Sequence, residues 1–385
     1  MMIAVETSRR IARAGAVALL ALLAACAVVP TPKPVAPVVT PVETTPQANV
    51  LPRDADRHRV ALLVPMTGSH AALGQALANA TTKALLDTNA QNLRITTYDT
   101  ATGAAAAATR ALDDGNKLIL GPITAEDVAA VVAVARPAQV PMISFANDPA
   151  LASRDVFVFG HVPGQSVARV VGYARAHGVT ALGAIIPLGT YGQRVASGLS
   201  GAARSSAVRI TDIETYDRTN TSVGSAIRRV KAKGQVDAIL IGDSARIATF
   251  AAPFASGVRL LGTELWIGES AIAQSPALRG AWFAAVSDQR FGQFERSYRA
   301  RFGTAPPRFA TVGYDAVLLT LNIARNWKDG ATFPAGRLFD PEGFIGLDGV
   351  FRFNEFGIAE RALEVREVAN GTFVTVSPAP EHFQP

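Results

Sequence analysis

A single thiol carries the most specific chemistry in this 385-residue sequence. Cys26 is the sole cysteine, and it follows Leu23-Ala24-Ala25 at the end of the apolar stretch Ala14–Ala25, which Arg9, Arg10 and Arg13 precede. A membrane-spanning helix needs ~20 apolar residues, so this stretch is too short to span and has the length of a signal-peptide core. One cysteine also excludes a disulfide framework and a Cys-rich zinc site. Other reactive patterns lack their residues. The sequence holds no Gly-x-x-x-x-Gly-Lys-Ser/Thr, no His-Glu-x-x-His and no Gly-x-Ser-x-Gly. The histidines, His58, His70, His161, His177 and His382, show no metal-ligand spacing, and the adjacent pair Asp113-Asp114 lies on a helix, where neighbours point apart. The chain therefore reads as non-enzymatic, with no cofactor and no metal.

Leu23-Ala24-Ala25-Cys26 resembles a bacterial lipobox, in which residues 1–25 are a signal peptide and Cys26 becomes the lipidated first residue. Ala27 rather than Asp follows it, a pattern that in bacterial lipoproteins implies sorting to the outer membrane. The expected location is thus the periplasmic side of the outer membrane, held by several acyl chains, each buried CH₂ adding about 0.8 kcal/mol. Residues 26–57 read as a tether, because Pro30, Pro32, Pro34, Pro37, Pro41, Pro46 and Pro52 interrupt Val, Thr and Ala. Such a composition favours polyproline II, which at ~3.1 Å per residue would reach roughly 80 Å. Either a passive spacer or a long reach toward a partner fits it.

The elements that must position any site begin at Arg59. Hydrophobic residues make up 49% of the chain, which excludes a mainly disordered polypeptide, and a length of 385 suggests two or three lobes. Val60-Ala61-Leu62-Leu63-Val64-Pro65 is a continuous apolar run, as in a strand buried on both faces. Ala71 to Asn89 reads as a helix, with Leu73, Leu77, Thr81 and Leu85 at four-residue spacing. Strand 94–99, an alanine-rich helix 103–114, strand 118–120, a helix 124–135 and strand 140–144 follow. The rhythm restarts with helix 164–177 and strand 181–186, then helix 191–204, strand 207–216, helix 222–234, strand 238–243, helix 244–256, strand 259–262 and a strand near 282–286. Helices 291–302 and 308–326 precede strands 349–354, 362–369 and 372–376, the last two joined by the hairpin turn Asn370-Gly371. This alternation predicts an α/β fold of two open parallel sheets, with ligands beyond the carboxyl ends of the strands and a hinged cleft between lobes. The formal charge is +6 on a sparsely charged chain, with no Lys/Arg run interleaved with aromatics, so nucleic acid is not an expected partner.

Several segments resemble the type I periplasmic binding proteins, the leucine/isoleucine/valine-receptor superfamily: Val60–Gly68, Leu120-Gly121-Pro122, Val140-Pro141-Met142-Ile143-Ser144, Thr190-Tyr191-Gly192-Gln193 and Gly313-Tyr314-Asp315-Ala316. The likeness covers about 59–376. It implies lobe 1 as 58–162 plus 289–345, lobe 2 as 163–288 plus 346–377, crossings near 163, 288 and 346 as a three-segment hinge, and a tail 378–385. Leu261–Trp266, Gly280–Ala284, Gly343–Phe353 and Ser377-Pro378-Ala379-Pro380 look like the penicillin-binding protein activators, outer-membrane lipoproteins that stimulate peptidoglycan synthases.

The resemblance also implies a cleft. In amino-acid receptors of this fold, hydroxyls and backbone N–H groups hold the ligand carboxylate. A helix N-terminus favours such an anion. Thr124, at the start of a helix, and Ser144 with Ala146, at the end of a strand, are the candidates, although an N-cap needs the same hydroxyl at Thr124. Tyr191 matches a cleft tyrosine of lobe 2, and a turn aromatic packed on its own lobe is the other reading. Glu264 falls near the carboxylate that receives a ligand ammonium, against a plain surface charge. Asp243 ends a strand at the cleft edge or caps the following helix. Two functions follow: a lipoprotein that binds and regulates a bifunctional penicillin-binding protein, or a receptor that delivers an amino acid or amide to an ABC permease.

Overall fold

The structure, a computed structural model, describes residues 57–219 and 222–383. Cys26, the signal stretch and nearly all of the Pro-rich segment lie outside the described residues. The first lobe runs β1 (His58–Val64), α1 (Ala71–Asp87), β2 (Leu93–Asp99), α2 (Ala104–Asp113), β3 (Leu118–Leu120), α3 (Ala125–Ala135), β4 (Met142–Ser144) and β5 (Val156–Val158). Its five-stranded sheet has the order β2-β1-β3-β4-β5, with every pairing parallel. β1 explains its own apolar run. Val60, Leu62 and Val64 enter a core with Leu77 of α1, while Ala61 and Leu63 enter a second core with Ala107, Ala111, Val128 and Val131 of α2 and α3. Both faces are buried, so no polar alternation survives.

The second lobe continues with α4 (Pro163–Ala176), β6 (Ala181–Pro187), α5 (Thr190–Ser205), β7 (Arg209–Tyr216), α6 (Val223–Ala232), β8 (Ala238–Ile241), α7 (Ala245–Ala251), β9 (Arg259–Gly262), α8 (Ser270–Gln274) and β10 (Trp282–Ala285). The chain then returns to the first lobe with α9 (Phe291–Phe302) and α10 (Ala310–Ala324), whose Phe294, Tyr298, Val312 and Leu319 join the core of β1 and α1. Five short strands close the chain: β11 (Phe344–Gly346), β12 (Gly349–Phe353), β13 (Ala359–Arg361), β14 (Glu364–Val368) and β15 (Phe373–Ser377). The second sheet has the order β15-β14-β10-β9-β8-β6-β7. Its β7 to β10 portion is parallel, and β14 and β15 add an antiparallel edge. Its core forms one cluster around Leu182, Ile185, Ile239, Leu240 and Trp266.

The third crossing differs from the expected position near 346. β11, β12 and β13 form a separate antiparallel sheet that packs on the first lobe. Phe351 meets Phe159 edge-on at 5.0 Å between ring centroids, and Phe353 meets Phe157 at 5.7 Å. The Val158 N–H bonds the Gly357 carbonyl at 2.8 Å. The chain therefore reaches the second sheet only at Ala362–Glu364. The cause is aromatic: three phenylalanines of this segment, Phe344, Phe351 and Phe353, are buried in the first lobe's core. β5, β11 and β13 were not expected from the sequence. Each is three residues long, too short for a period-2 signal.

Candidate functional site

Open α/β sheets expose sites beyond the carboxyl ends of their strands. β6 delivers Pro187, after which α5 starts with Tyr191 in its first turn. Gly192 fixes that start: a Cβ there would stand 1.8 Å from the Pro187 carbonyl oxygen, so the helix can approach the strand end only with glycine. β9 ends at Gly262, followed by Thr263 and Glu264. These two loops meet. The Tyr191 hydroxyl donates to Glu264 Oε1 at 2.9 Å and lies 3.0 Å from Thr263 Oγ1. Ser166 of α4 donates to Glu264 Oε2 at 2.6 Å. Two hydroxyls thus anchor one carboxylate. Burial pushes the Glu264 carboxyl above its ordinary value, with Ser166 and Tyr191 pulling back. Burial also raises the Tyr191 phenol well above its usual range, and Glu264 adds to this.

Asp243, just beyond β8, is buried and makes a different cluster. Arg218 donates to it twice, from Nε at 2.9 Å and Nη2 at 2.8 Å. The Tyr216 hydroxyl and the Ser244 N–H, the latter at 2.6 Å, also donate to it. Burial alone would raise this carboxyl, but Arg218, Tyr216 and the Ser244 amide hold it below its ordinary value. Arg218 also lies over the Tyr191 ring, 5.8 Å from the centroid. The indole of Trp266 donates to the Asp243 carbonyl at 3.0 Å and locks the loop to the core. Tyr191, Glu264 and Asp243 are thus brought into one neighbourhood of lobe 2.

Lobe 1 contributes less than its hydroxyls suggested. Thr124 is exposed and caps α3, accepting the Asp127 N–H at 3.1 Å. Glu126 and Asp127 occupy the first turn of that helix, so its positive end already faces carboxylates of its own. Ser144 is fully buried; it donates to the Pro122 carbonyl at 3.3 Å and accepts the Ala146 N–H at 3.1 Å. Ser144 and Ala146 therefore satisfy each other. The polar groups that lobe 1 does present lie one step on, at Asn147 and Asp148, where Arg194 of α5 meets them.

Sequence reasoning missed a second assembly, where the segments linking the lobes meet. Asp348 receives Arg308, His161 at 2.9 Å and the Thr311 hydroxyl at 3.0 Å, with the Arg361 guanidinium 3.9 Å away. Asp315 accepts the Leu347 N–H at 2.7 Å and the Asp348 N–H at 3.3 Å. Arg361 also donates to the Phe159 carbonyl at 2.7 Å, and Arg308 to the Ser287 carbonyl at 3.1 Å. One network therefore ties residues of all three crossings. Burial pushes His161 below its ordinary value despite Asp348. Asp315 and Asp348 do fall in segments whose family likeness was noted, but nothing local to them signalled partners as distant as His161.

A narrow cavity lies between this network and Glu264, lined by His161, Ser166, Glu264 and Arg361; about 10 Å³ of open space is near the minimum for one water and too small for a solute. Larger cavities, about 390 and 510 Å³, lie against Ser287, Gln289, Glu364 and Pro378, and none of Thr124, Ser144, Ala146, Tyr191, Asp243 or Glu264 lines them. Glu264 is thus a fixed acceptor held by two hydroxyls, with the Arg361 guanidinium lining the same small cavity. Among the described residues no group of three or more His, Cys, Asp and Glu could hold a metal ion.

Residues 58–345 match the family described as periplasmic binding protein. An uncharacterized protein of Rickettsia prowazekii (strain Madrid E) is 22% identical over 330 residues, 83% of this chain and 88% of that one. A branched-chain amino acid ABC transporter periplasmic ligand-binding protein from Burkholderia xenovorans LB400 superposes with TM-score 0.71 at 16% identity, covering 84% of this chain and 96% of that one. The branched-chain amino acid transporter substrate-binding protein LivJ from Streptococcus pneumoniae, in complex with isoleucine, gives 0.62 at 22% identity, covering 84% and 100%. At these identities the solved structures share the fold.

Proposed function

This chain belongs to the periplasmic binding protein family, and from that premise we propose that it is a solute receptor of an ABC importer for a small amino-acid-like zwitterion. The observation that carries this reading is the Glu264 carboxylate, clamped by Ser166 and Tyr191 at 2.6 and 2.9 Å. Ionised, a carboxylate has about four lone-pair sites, so two hydroxyl donors leave capacity for an ammonium once separation of the lobes widens the space of about 10 Å³ beside it. A buried carboxylate is costly until a cation or donors complete it. Arg218, over the face of the same Tyr191 ring, offers a partner for the solute's negative end. The Streptococcus relative holds isoleucine, a solute of this class. Cys26 would moor the receptor to the outer membrane on its periplasmic side.

Calorimetry with a panel of amino acids and amides tests the reading. Binding is expected for at least one, and Glu264→Gln should weaken it at least about tenfold, the loss of one charge-assisted contact. No heat with any solute at millimolar concentration would refute it. A second reading, a regulator of a bifunctional penicillin-binding protein, is favoured by one observation. The polar groups of the cleft are already paired with one another: Tyr191 and Ser166 with Glu264, Arg218 with Asp243, Arg194 with Asp148. Co-purification of such a synthase with the anchored protein would then be the expected outcome.

A further inference from the structure

Arg194 follows Tyr191 by three residues on α5, so both side chains leave the helix on one face. Tyr191 turns to its own lobe, whereas Arg194 reaches the other. Its Nη1 donates to Asn147 Oδ1 at 2.7 Å and its Nη2 to Asp148 Oδ2 at 2.8 Å. Both acceptors sit in the loop after β4, in the first lobe. The side chains of Arg194 and Asp148 are only 19% and 24% exposed, so water screens the pair incompletely.

Both supports are stiff. Asp148 divides its oxygens: Oδ1 accepts the Ala150 N–H at 3.0 Å and shapes the local turn, which leaves Oδ2 to the other lobe. The loop before it is held by the Phe145 N–H on the Pro122 carbonyl at 2.9 Å and by the Ser144–Ala146 bond. On the opposite side, the contact of Gly192 with Pro187 fixes the first turn of α5. The contact shares no residue with the network that ties the three crossings. It therefore adds an independent tie between lobes.

We propose that Arg194, Asn147 and Asp148 form an interlobe latch that favours the closed arrangement of the two lobes and slows release of whatever the cleft holds. Separation of the lobes breaks both bonds and returns three polar side chains to water. Since apparent affinity is the intrinsic affinity scaled by the closed fraction, the latch also sets how tightly a cleft solute is retained. This inference extends the receptor reading, but its primary readout needs no solute.

The test uses the full chain with Cys26→Ser, Thr109→Cys and Ser205→Cys, labelled as a fluorophore pair with one dye on each lobe. Single-molecule transfer efficiency reports lobe separation. Arg194→Ala and Asp148→Ala should each raise the open-to-closed ratio by roughly five- to tenfold, tenfold being about 1.4 kcal/mol. The double variant should open no further than Arg194→Ala alone, because both bonds run through Arg194, whereas Asp148→Ala leaves the bond to Asn147 and should open less. Arg194→Lys, which keeps the charge and one donor, should fall between. Unchanged separation in Arg194→Ala, with unaltered circular dichroism and urea midpoint, would overturn the latch, and so would additive opening in the double variant. Solute release rates, if calorimetry finds a solute, should rise by the same factor. If no solute binds any variant, the receptor reading fails while lobe separation still decides the latch.

Discussion

Asp315 and Asp348 are two carboxylates in one buried site, and their environments drive them apart. Burial would raise Asp348, but Arg308, His161 and Arg361 hold it far below the ordinary carboxylate range. Asp315 goes the other way, pushed by burial and by the Asp348 charge to about 7. Such splitting is what two like charges in a low-dielectric site require. Asp315 binds its proton more tightly folded than unfolded. Its contribution to stability is therefore complete below its ordinary value of 3.8 and lost as pH rises through about 7. Asp348 contributes in the opposite sense, and its share is lost only in strong acid. Asp315 thus contributes a loss on the order of 1 kcal/mol per pH unit between pH 5 and its folded pKa, while His161 and His58, held below their ordinary values by burial, contribute in the opposite sense as pH rises toward 6.5. Urea denaturation at pH 5 and pH 8 should show Asp315→Asn losing less stability, or gaining more, between the two values than the wild type does. An equal slope in the variant would show that another group titrates.

Two residues of the site show how an element places a side chain. Tyr191 reaches Glu264 because α5 starts directly against the end of β6, and Gly192 permits that approach. Replacing it with alanine puts a Cβ 1.8 Å from the Pro187 carbonyl oxygen, a backbone atom that cannot swing away. The start of the helix must shift instead. Gly192→Ala is expected to cost ~1–3 kcal/mol of stability, typical of overpacking, and to carry Tyr191 and Arg194 out of register. A urea melt would give the first effect and loss of solute binding the second. Full stability in this variant would mean that the turn adapts. The same scale explains Thr124: its helix carries Glu126 and Asp127 in the first turn, so its hydroxyl serves the cap rather than an anion.

At the scale of the whole molecule, two sheets are joined by three crossings under one charge network, and α9 and α10 with the β11–β13 sheet return to the first lobe. Contacts therefore span large separations: His161 and Asp348 are 187 residues apart, and Gln165 bonds the Ala359 carbonyl across 194. No described helix is long and apolar enough to cross a membrane. Attachment through an acylated Cys26 is a separate proposal with a test of its own. Cys26→Ser is expected to move the protein from the membrane fraction to the soluble periplasmic fraction while leaving its circular dichroism unchanged. Retention in the membrane fraction would rule out acylation as the anchor.

The alternation of apolar strands and amphipathic helices was legible residue by residue, because burial on both faces of β1 and β6 writes an unbroken apolar run into the chain. Short segments around Ser144, Tyr191 and Asp315 likewise carried the family, since each lies within a single turn or strand end. The three-residue strands β5, β11 and β13 left no such mark, and the aromatic packing of Phe351 and Phe353 that moves the third crossing past Arg361 is a contact between distant segments. The same holds for the pairing of Glu264 with Ser166 and Tyr191, for the spent hydroxyl of Ser144 and for the reach of Arg194 to Asp148. Local propensity and hydrophobic period act over a few residues, whereas hydrogen bonds and ion pairs between loops exist only after the lobes have brought those loops together.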